Sequence, residues 1–169
     1  YYKNKIVAFE IQTEVFKLAQ QSVAYNKKQE QIELINDNIK NIKNYFPGNN
    51  FDVIVANPPY FKYKEESLTN DIYVKACARH EITLKLENIF EVARFSLKDN
   101  GVMYLVHVPE RLDEILFLCE KYKIRTKLMQ FVYTKSEQAA SIVILKCIKN
   151  ARNGVKVNPP IFISDYLSY

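Results

Sequence analysis

The chain has 169 residues, of which 48% are hydrophobic, and this length fits one domain with a sizeable core. No apolar run approaches the ~18 residues of a membrane span, and the three cysteines form no Cys-x-x-Cys pair, which argues against a zinc knuckle or a disulfide framework. We therefore expect a cytoplasmic protein without a metal site. The net charge of +5 suits a polyanionic partner without demonstrating one.

Strands and helices alternate along the sequence. In chain order we predict a strand over 5–11, a helix over 13–26, strands over 31–36 and 51–56, a helix over 86–97, a strand over 102–108, a helix from near Pro109, and strands over 129–133 and 141–148. Thr13 is the expected N-cap of the first helix, and Asp99-Asn100-Gly101 is expected to form a turn. Near-continuous apolar strands that alternate with helices predict a single α/β domain over 1–169 with a mainly parallel, doubly wound sheet. The last two strands have no helix between them and should form a hairpin that adds an antiparallel edge strand.

Polar residues follow three consecutive strands of this sheet. Glu10 lies at the end of the first strand, Asp37 and Asn38 follow the second, and Asn57 follows the third. Ligands of parallel α/β sheets bind beyond the carboxyl ends of the strands, so we expect these residues to share one rim. Glu10 is suited to accept hydrogen bonds from both hydroxyls of a ribose. For Glu10 the alternative is a solvated loop carboxylate. Asp37 is suited to accept a hydrogen bond from an adenine amine, while a neighbouring backbone amide donates to the ring.

The segment Asn57-Pro58-Pro59-Tyr60 is the most specific signal in the sequence. Two prolines after a buried strand stop the sheet ladder, because proline lacks a backbone donor and has a fixed φ. The Asn57 side-chain oxygen and the Pro58 carbonyl can each accept one hydrogen of a delocalised amine, which directs its lone pair at a methyl donor. The prolines hold both acceptors rigidly, and the Tyr60 ring can stack on a planar substrate. The segment therefore predicts N-methyl transfer, with a structural Pro-Pro turn as the alternative.

The same tripeptide recurs at Asn158-Pro159-Pro160, where Ile161 follows in place of an aromatic residue. This copy comes after the last predicted strand. We expect it to form a turn without a catalytic role.

Several stretches resemble a known family. They are VAFEIQ, LINDNI, VIVANPPYF, ACARHE, HVPERL and QFVYTKSEQAASIVILKCIKN, and together they span nearly the whole chain. They resemble class I S-adenosylmethionine-dependent methyltransferases with an NPPY motif, and more closely the bacterial tRNA1(Val) adenine-37 N6-methyltransferases. The resemblance implies a Rossmann-like fold, S-adenosylmethionine as cofactor and a tRNA adenine as methyl acceptor. A release-factor glutamine, a DNA adenine, a ribosomal RNA guanine, or a non-catalytic RNA-binding role on the same scaffold are the alternatives.

The resemblance also implies roles for individual residues. The implied catalytic residues are Asn57, Pro58, Pro59 and Tyr60, the implied cofactor-binding residues are Glu10, Ile11, Asp37, Asn38 and Asn57, and the implied RNA-binding residues are Tyr60, Phe61, Arg79 and His80. A helix-start charge and a surface imidazole are the alternative account of Arg79 and His80. His107 lies inside a strand pattern and is expected to be a core or strand-end histidine. The sequence predicts no oligomeric state.

Members of this family open with a strand and a glycine-rich loop that wraps the methionine part of the cofactor. The chain has three glycines, none of them in such a loop, and residue 1 lies just before the family's second strand. We therefore expect a segment that lacks the first strand and the loop. The strands over 5–11 and 51–56 should then each lack a partner at one edge, and the segment alone should bind the cofactor poorly.

Overall fold

The computed structural model describes residues 4–58, 60 and 84–166. Contacts divide the chain into two compact units, Tyr1–Phe46 and Pro47–Tyr169. Within the described residues, no helix is long and apolar enough to cross a membrane. The same residues contain no group of three or more His, Cys, Asp or Glu side chains that could hold a metal ion.

The first unit is a βαβ arrangement followed by a short helix. Its elements are β1 (Ile6–Phe9), α1 (Thr13–Tyr25), β2 (Ile32–Ile35) and a 3₁₀ helix over Ile39–Asn44. β1 and β2 pair in parallel from Ile6↔Ile32 to Phe9↔Ile35, which confirms the first three predicted elements with shorter bounds. Ile6 is 48% exposed, and the other three residues of β1 are half-buried.

The N-cap prediction for α1 was wrong. Thr13 is the first helical residue, and Gln12 stands at the cap position without a side-chain capping bond. The Thr13 hydroxyl instead donates to Asn36 Oδ1 over 3.2 Å. Asn36 Nδ2 donates in turn to the Glu10 carbonyl over 2.8 Å, so this amide joins the end of β1 to the start of α1.

The second unit is a six-stranded sheet with two helices. Its elements are β3 (Phe51–Ala56), α2 (Leu86–Ser96), β4 (Leu97–His107), α3 (Leu112–Lys121), β5 (Ile124–Tyr133), β6 (Ile142–Lys149), β7 (Lys156–Val157) and β8 (Ile161–Phe162), with 3₁₀ helices over Pro109–Arg111 and Ile163–Tyr166. The strand order is β3-β4-β6-β5-β7, and β8 also pairs with β5. β3 and β4 are parallel, whereas β6 is antiparallel to both β4 and β5, which confirms the predicted hairpin. The edge position predicted for the antiparallel strand was wrong, because β6 inserts between β4 and β5 and pairs on both sides.

The core of the second unit lies between this sheet and helices α2 and α3. Phe90 and Ala93 of α2, together with Met103 and Leu105 of β4, are fully buried. Alternate residues of β4 face away from this core, and Tyr104 is 37% exposed. The buried positions therefore follow the period of two that a strand with one covered face requires.

β4 begins at Leu97, so the turn predicted at 99–101 was wrong. Leu97 pairs with Phe51 and the register then shifts, so the predicted turn residues form a bulge inside the strand. Asn100 has a φ of 62°, in the left-handed region that asparagine tolerates. A Cβ on Gly101 would lie 2.8 Å from the Lys98 carbonyl oxygen, which explains glycine at this position.

The described strands form two sheets. β1 pairs only with β2, and β3 pairs only with β4, among the residues that the structure describes. Each of these strands therefore has one edge without a described partner.

Candidate active site

β3 places the first Asn-Pro-Pro segment at its carboxyl end. Pairing with β4 runs as far as Ala56↔Leu105, and the chain then leaves the ladder at Asn57 and Pro58. Pro58 has no N–H to continue the pairing, so the break is built into the sequence. Asn57 is exposed and Pro58 is half-buried. The Asn57 side chain thus lies at the carboxyl end of β3, as predicted.

Tyr60 contacts Asn57 directly. The Tyr60 O–H donates to Asn57 Oδ1 over 2.6 Å. The sequence hypothesis reserved this oxygen for a substrate amine and the Tyr60 ring for stacking. In this structure the Tyr60 hydroxyl is the group that donates to Asn57 Oδ1.

His107 adjoins the same tyrosine, a contact that the sequence did not indicate. The ring centroids of Tyr60 and His107 lie 5.3 Å apart with their planes inclined by 57°. His107 is the last residue of β4 and is fully buried, which confirms the interpretation as a core or strand-end histidine. Its proximity to Tyr60 depends on the parallel pairing of β3 with β4, which no local pattern around residue 107 shows.

One hydrogen bond and the burial of the ring define the protonation of His107. The Val108 N–H donates to Nδ1 over 2.8 Å, so Nδ1 carries the lone pair and the ring hydrogen lies on Nε2. Nε2 is buried and has no hydrogen-bond partner among the described residues. Burial lowers the pKa of His107 below its ordinary value, and the positive charge of Arg111 lowers it further, although Glu114 opposes this. The imidazole is therefore neutral at pH 7.

Glu10 stands at the carboxyl end of β1 in the first unit. Its Oε1 accepts a hydrogen bond from the Gln12 N–H over 2.8 Å, and its backbone N–H donates to the Ile35 carbonyl over 3.0 Å. The side chain is half-buried, and Ile11, which follows it, is 40% exposed. The carboxylate is thus held by the turn that leads into α1.

Asp37 organises the loop that follows β2. Its Oδ1 accepts from the Asn38 N–H over 2.6 Å and from Asn41 Nδ2 over 2.8 Å, and its Oδ2 accepts from the Tyr45 hydroxyl over 2.9 Å. These bonds, led by that of Asn41, lower the pKa of Asp37. Because a carboxylate has about four acceptor positions, three bonds leave room for about one more. The Asn38 N–H is already bound to Asp37.

Asn38 is the N-cap of the 3₁₀ helix that follows. Its Oδ1 accepts from the Lys40 N–H over 3.0 Å. Its side chain therefore has a capping role in addition to the cofactor contact that the sequence predicts.

The predicted site residues divide between the two units. Glu10, Ile11, Asp37 and Asn38 belong to the first unit, whereas Asn57, Pro58 and Tyr60 belong to the second. The remaining four, Pro59, Phe61, Arg79 and His80, lie outside the described residues, and their roles stay predictions.

No family model matches this chain. Curated proteins named tRNA1(Val) (adenine(37)-N6)-methyltransferase are similar to it in sequence. The protein from Bacteroides thetaiotaomicron is 28% identical over 130 residues, which cover 77% of this chain and 52% of the relative. The protein from Porphyromonas gingivalis is 35% identical over 74 residues, which cover 44% of this chain and 28% of the relative. The chain spans about half the length of the first of these relatives.

Solved methyltransferase structures are similar to the chain in fold. A predicted O-methyltransferase from Agrobacterium tumefaciens has a TM-score of 0.68 at 16% identity, covering 94% of this chain and 68% of that one. A SAM-dependent methyltransferase from Aquifex aeolicus has a TM-score of 0.57 at 13% identity, covering 85% of this chain and 68% of that one. The fold is the Rossmann-like α/β fold of class I methyltransferases. This confirms the fold class predicted from the sequence.

Proposed function

We propose that the protein transfers a methyl group from S-adenosylmethionine to the N6 amine of an adenine in tRNA. The observation that carries the proposal is Asn57-Pro58 at the carboxyl end of β3, where a side-chain oxygen and a backbone carbonyl follow directly on a rigid strand. The printed name of the curated relatives supports the tRNA adenine as target. The net charge of +5 suits a polyanionic substrate, and a tRNA substrate implies action in the cytoplasm.

The residues of the first unit fit the ribose and the adenine of the cofactor. A half-buried carboxylate at the end of β1, fixed by the Gln12 amide, is a suitable acceptor for ribose hydroxyls. Asp37 retains acceptor capacity for an adenine amine. Glu10 and Asp37 would therefore hold the nucleoside part, and the bound cofactor supplies an electrophilic methyl group.

Asn57 and Pro58 would act on the target amine. The Asn57 side-chain oxygen and the Pro58 carbonyl each accept one hydrogen of the amine, which draws the nitrogen out of conjugation and directs its lone pair away from both acceptors. As the bond from nitrogen to the methyl carbon forms, the bond from that carbon to the cofactor sulfur would break with its electron pair left on sulfur, so the positive charge would pass to the nitrogen. Both oxygens stabilise this charge until the extra proton leaves to water.

The test is methylation of unmodified total tRNA by the full-length protein, followed by nucleoside analysis. We expect N6-methyladenosine as the product. Asn57→Ala should lower the rate by about 10²–10³-fold, the scale observed for the loss of one preorganised hydrogen-bonding group, with cofactor affinity largely retained.

The second Asn-Pro-Pro copy supplies the matched control. Asn158 lies in the connection between β7 and β8, and its N–H donates to the Met129 carbonyl over 2.9 Å. Asn158→Ala should keep the wild-type rate. Near-normal turnover of Asn57→Ala would refute the amine clamp, and a methylated guanine would assign a different substrate. RNA binding without any methyl transfer would favour the non-catalytic alternative.

A further inference from the structure

The Tyr60 hydroxyl is hydrogen-bonded to Asn57 Oδ1, the oxygen that is proposed to accept a hydrogen of the substrate amine. The O–H donates over 2.6 Å, near the short end of the range for O–H···O bonds. The phenol is an aromatic ring with a polar hydrogen at its edge. An aromatic amine such as adenine presents the same combination. Tyr60 therefore resembles, in shape and in hydrogen bonding, the group that the site is proposed to bind.

The Tyr60 ring lies beside a donor that lacks a partner. His107 adjoins the ring at a centroid distance of 5.3 Å, and the Val108 amide fixes its hydrogen on Nε2. The Nε2–H is buried and unpaired among the described residues. A buried donor without an acceptor is unfavourable, so its presence beside the candidate site needs an explanation. The ring nitrogens of an adenine are acceptors of the kind that this donor lacks.

We propose that Tyr60 occupies the place of the target base in the free protein, and that the His107 Nε2–H donates to a ring nitrogen of the base once Tyr60 has moved aside. This inference rests on the proposed function, because it assumes that the amine of the base binds at Asn57. Substrate binding then breaks the Tyr60–Asn57 hydrogen bond and satisfies His107. His107 then recognises the ring of the base by donating to it, while Asn57 recognises the amine by accepting from it.

The two residues should have opposite effects on substrate binding. Tyr60→Phe keeps the ring and removes the competing hydroxyl, so the KM for tRNA should fall by about two- to tenfold, the range for one hydrogen bond. His107→Asn keeps an acceptor for the Val108 amide near the position of Nδ1 but removes the donor at Nε2. Its KM should rise by about two- to tenfold.

A conservative variant separates recognition from packing. The side-chain amide of glutamine reaches the position of Nε2, so His107→Gln should restore most of the KM that His107→Asn loses. Equal KM values for the two variants would show that His107 acts only through packing, and a KM that does not fall in Tyr60→Phe would show that the hydroxyl is no competitor. Either result overturns the proposal.

Imidazole ¹⁵N NMR of the full-length protein gives a readout that needs no turnover. The signal that His107→Gln removes from the spectrum of the free protein is assigned to His107. We expect the His107 hydrogen on Nε2, and a shift of this signal when unmodified tRNA is added with S-adenosylhomocysteine. An unchanged signal at saturation would refute the inference. Absence of methyl transfer to any nucleic acid would instead refute the proposed function, whereas normal methylation with an unshifted His107 signal would refute the inference alone.

Discussion

Replacing Lys149 by methionine should lower the free energy of unfolding by about 2–4 kcal/mol, because its ammonium group closes the end of α2. The last carbonyls of a helix have no partner within the helix. Lys149 Nζ donates to the Arg94 carbonyl over 2.8 Å, to the Leu97 carbonyl over 2.6 Å and to Asn49 Oδ1 over 2.6 Å. Lys149 is 3% exposed, so water does not readily replace these bonds.

Backbone N–H groups donate to the two carbonyls that lie between those of Arg94 and Leu97. The Asn49 N–H donates to the Phe95 carbonyl over 2.9 Å, and the Asn50 N–H donates to the Ser96 carbonyl over 2.8 Å. The turn before β3 and the last residue of β6 therefore cap α2 together. Lys149, the last residue of β6, bonds both the turn before β3 and the end of α2. Its removal therefore affects contacts among all three elements.

The magnitude follows from two opposing effects. Three acceptors lose their partner, at about 1–3 kcal/mol each for a buried group. Removing a buried charge recovers several kcal/mol of desolvation. The desolvation is visible in Lys149 itself, because burial, followed by the charge of Arg94, lowers its pKa. A net loss of about 2–4 kcal/mol remains, because methionine fills the space but offers no donor.

Urea unfolding of the full-length protein measures this loss, provided that the slope against urea stays constant. Lys146→Met is the matched control, since Lys146 lies on the same strand at a position of the opposite face and is only half-buried. The control should change stability by less than about 0.5 kcal/mol. A loss in Lys149→Met no larger than that of the control would refute the capping role.

Two further predictions concern Glu10 and His107. Glu10→Ala should weaken S-adenosylmethionine binding by about 10–150-fold, which corresponds to ~1.5–3 kcal/mol for hydrogen bonds to a charged acceptor. The control Glu14→Ala changes an exposed carboxylate and should leave the affinity unchanged. Unchanged affinity of Glu10→Ala by calorimetry would remove Glu10 from the cofactor site. The pKa of His107 is lower in the folded chain than in the unfolded chain, so the unfolded chain binds a proton at this residue more readily. The stability that His107 contributes is therefore complete above pH 6.5 and is lost as the pH falls from there toward the folded-state pKa. Unfolding at pH 7.5 and 5.5 should show this loss in the wild type but not in His107→Gln, and equal losses in both would contradict it.

Local patterns were sufficient for most of the fold. β3 has the predicted bounds, α2 differs by one residue at its end, and the two last long strands pair antiparallel as expected. The apolar period, the prolines at 58 and 59 and the absence of a helical pattern between β5 and β6 agree in these segments. The placement of Asn57 at a strand end followed from the same signals.

The errors arose where distant pairing decides the structure. Asp99-Asn100-Gly101 has the composition of a turn, yet pairing of Leu97 with Phe51 keeps this segment in the strand and turns it into a bulge. Thr13 is a good capping residue, but its hydroxyl is used by Asn36, which lies on the far side of α1 in the sequence. The Tyr60–His107 contact likewise depends on two strands that are neighbours only in the folded chain.

The two Asn-Pro-Pro copies show how much of a site depends on context. The second copy joins β7 and β8, and both strands pair with β5. The Pro159 carbonyl accepts from Gln130 Nε2 over 2.5 Å, so the sheet uses this copy as a structural connection. In the first copy the Asn57 oxygen is held by a side-chain hydroxyl of a half-buried residue, Tyr60. Pro159 corresponds to Pro58, so the carbonyl that the proposal assigns to a substrate amine is bound by Gln130 in the second copy. The pairing of β7 and β8 with β5, and not the tripeptide itself, makes this difference.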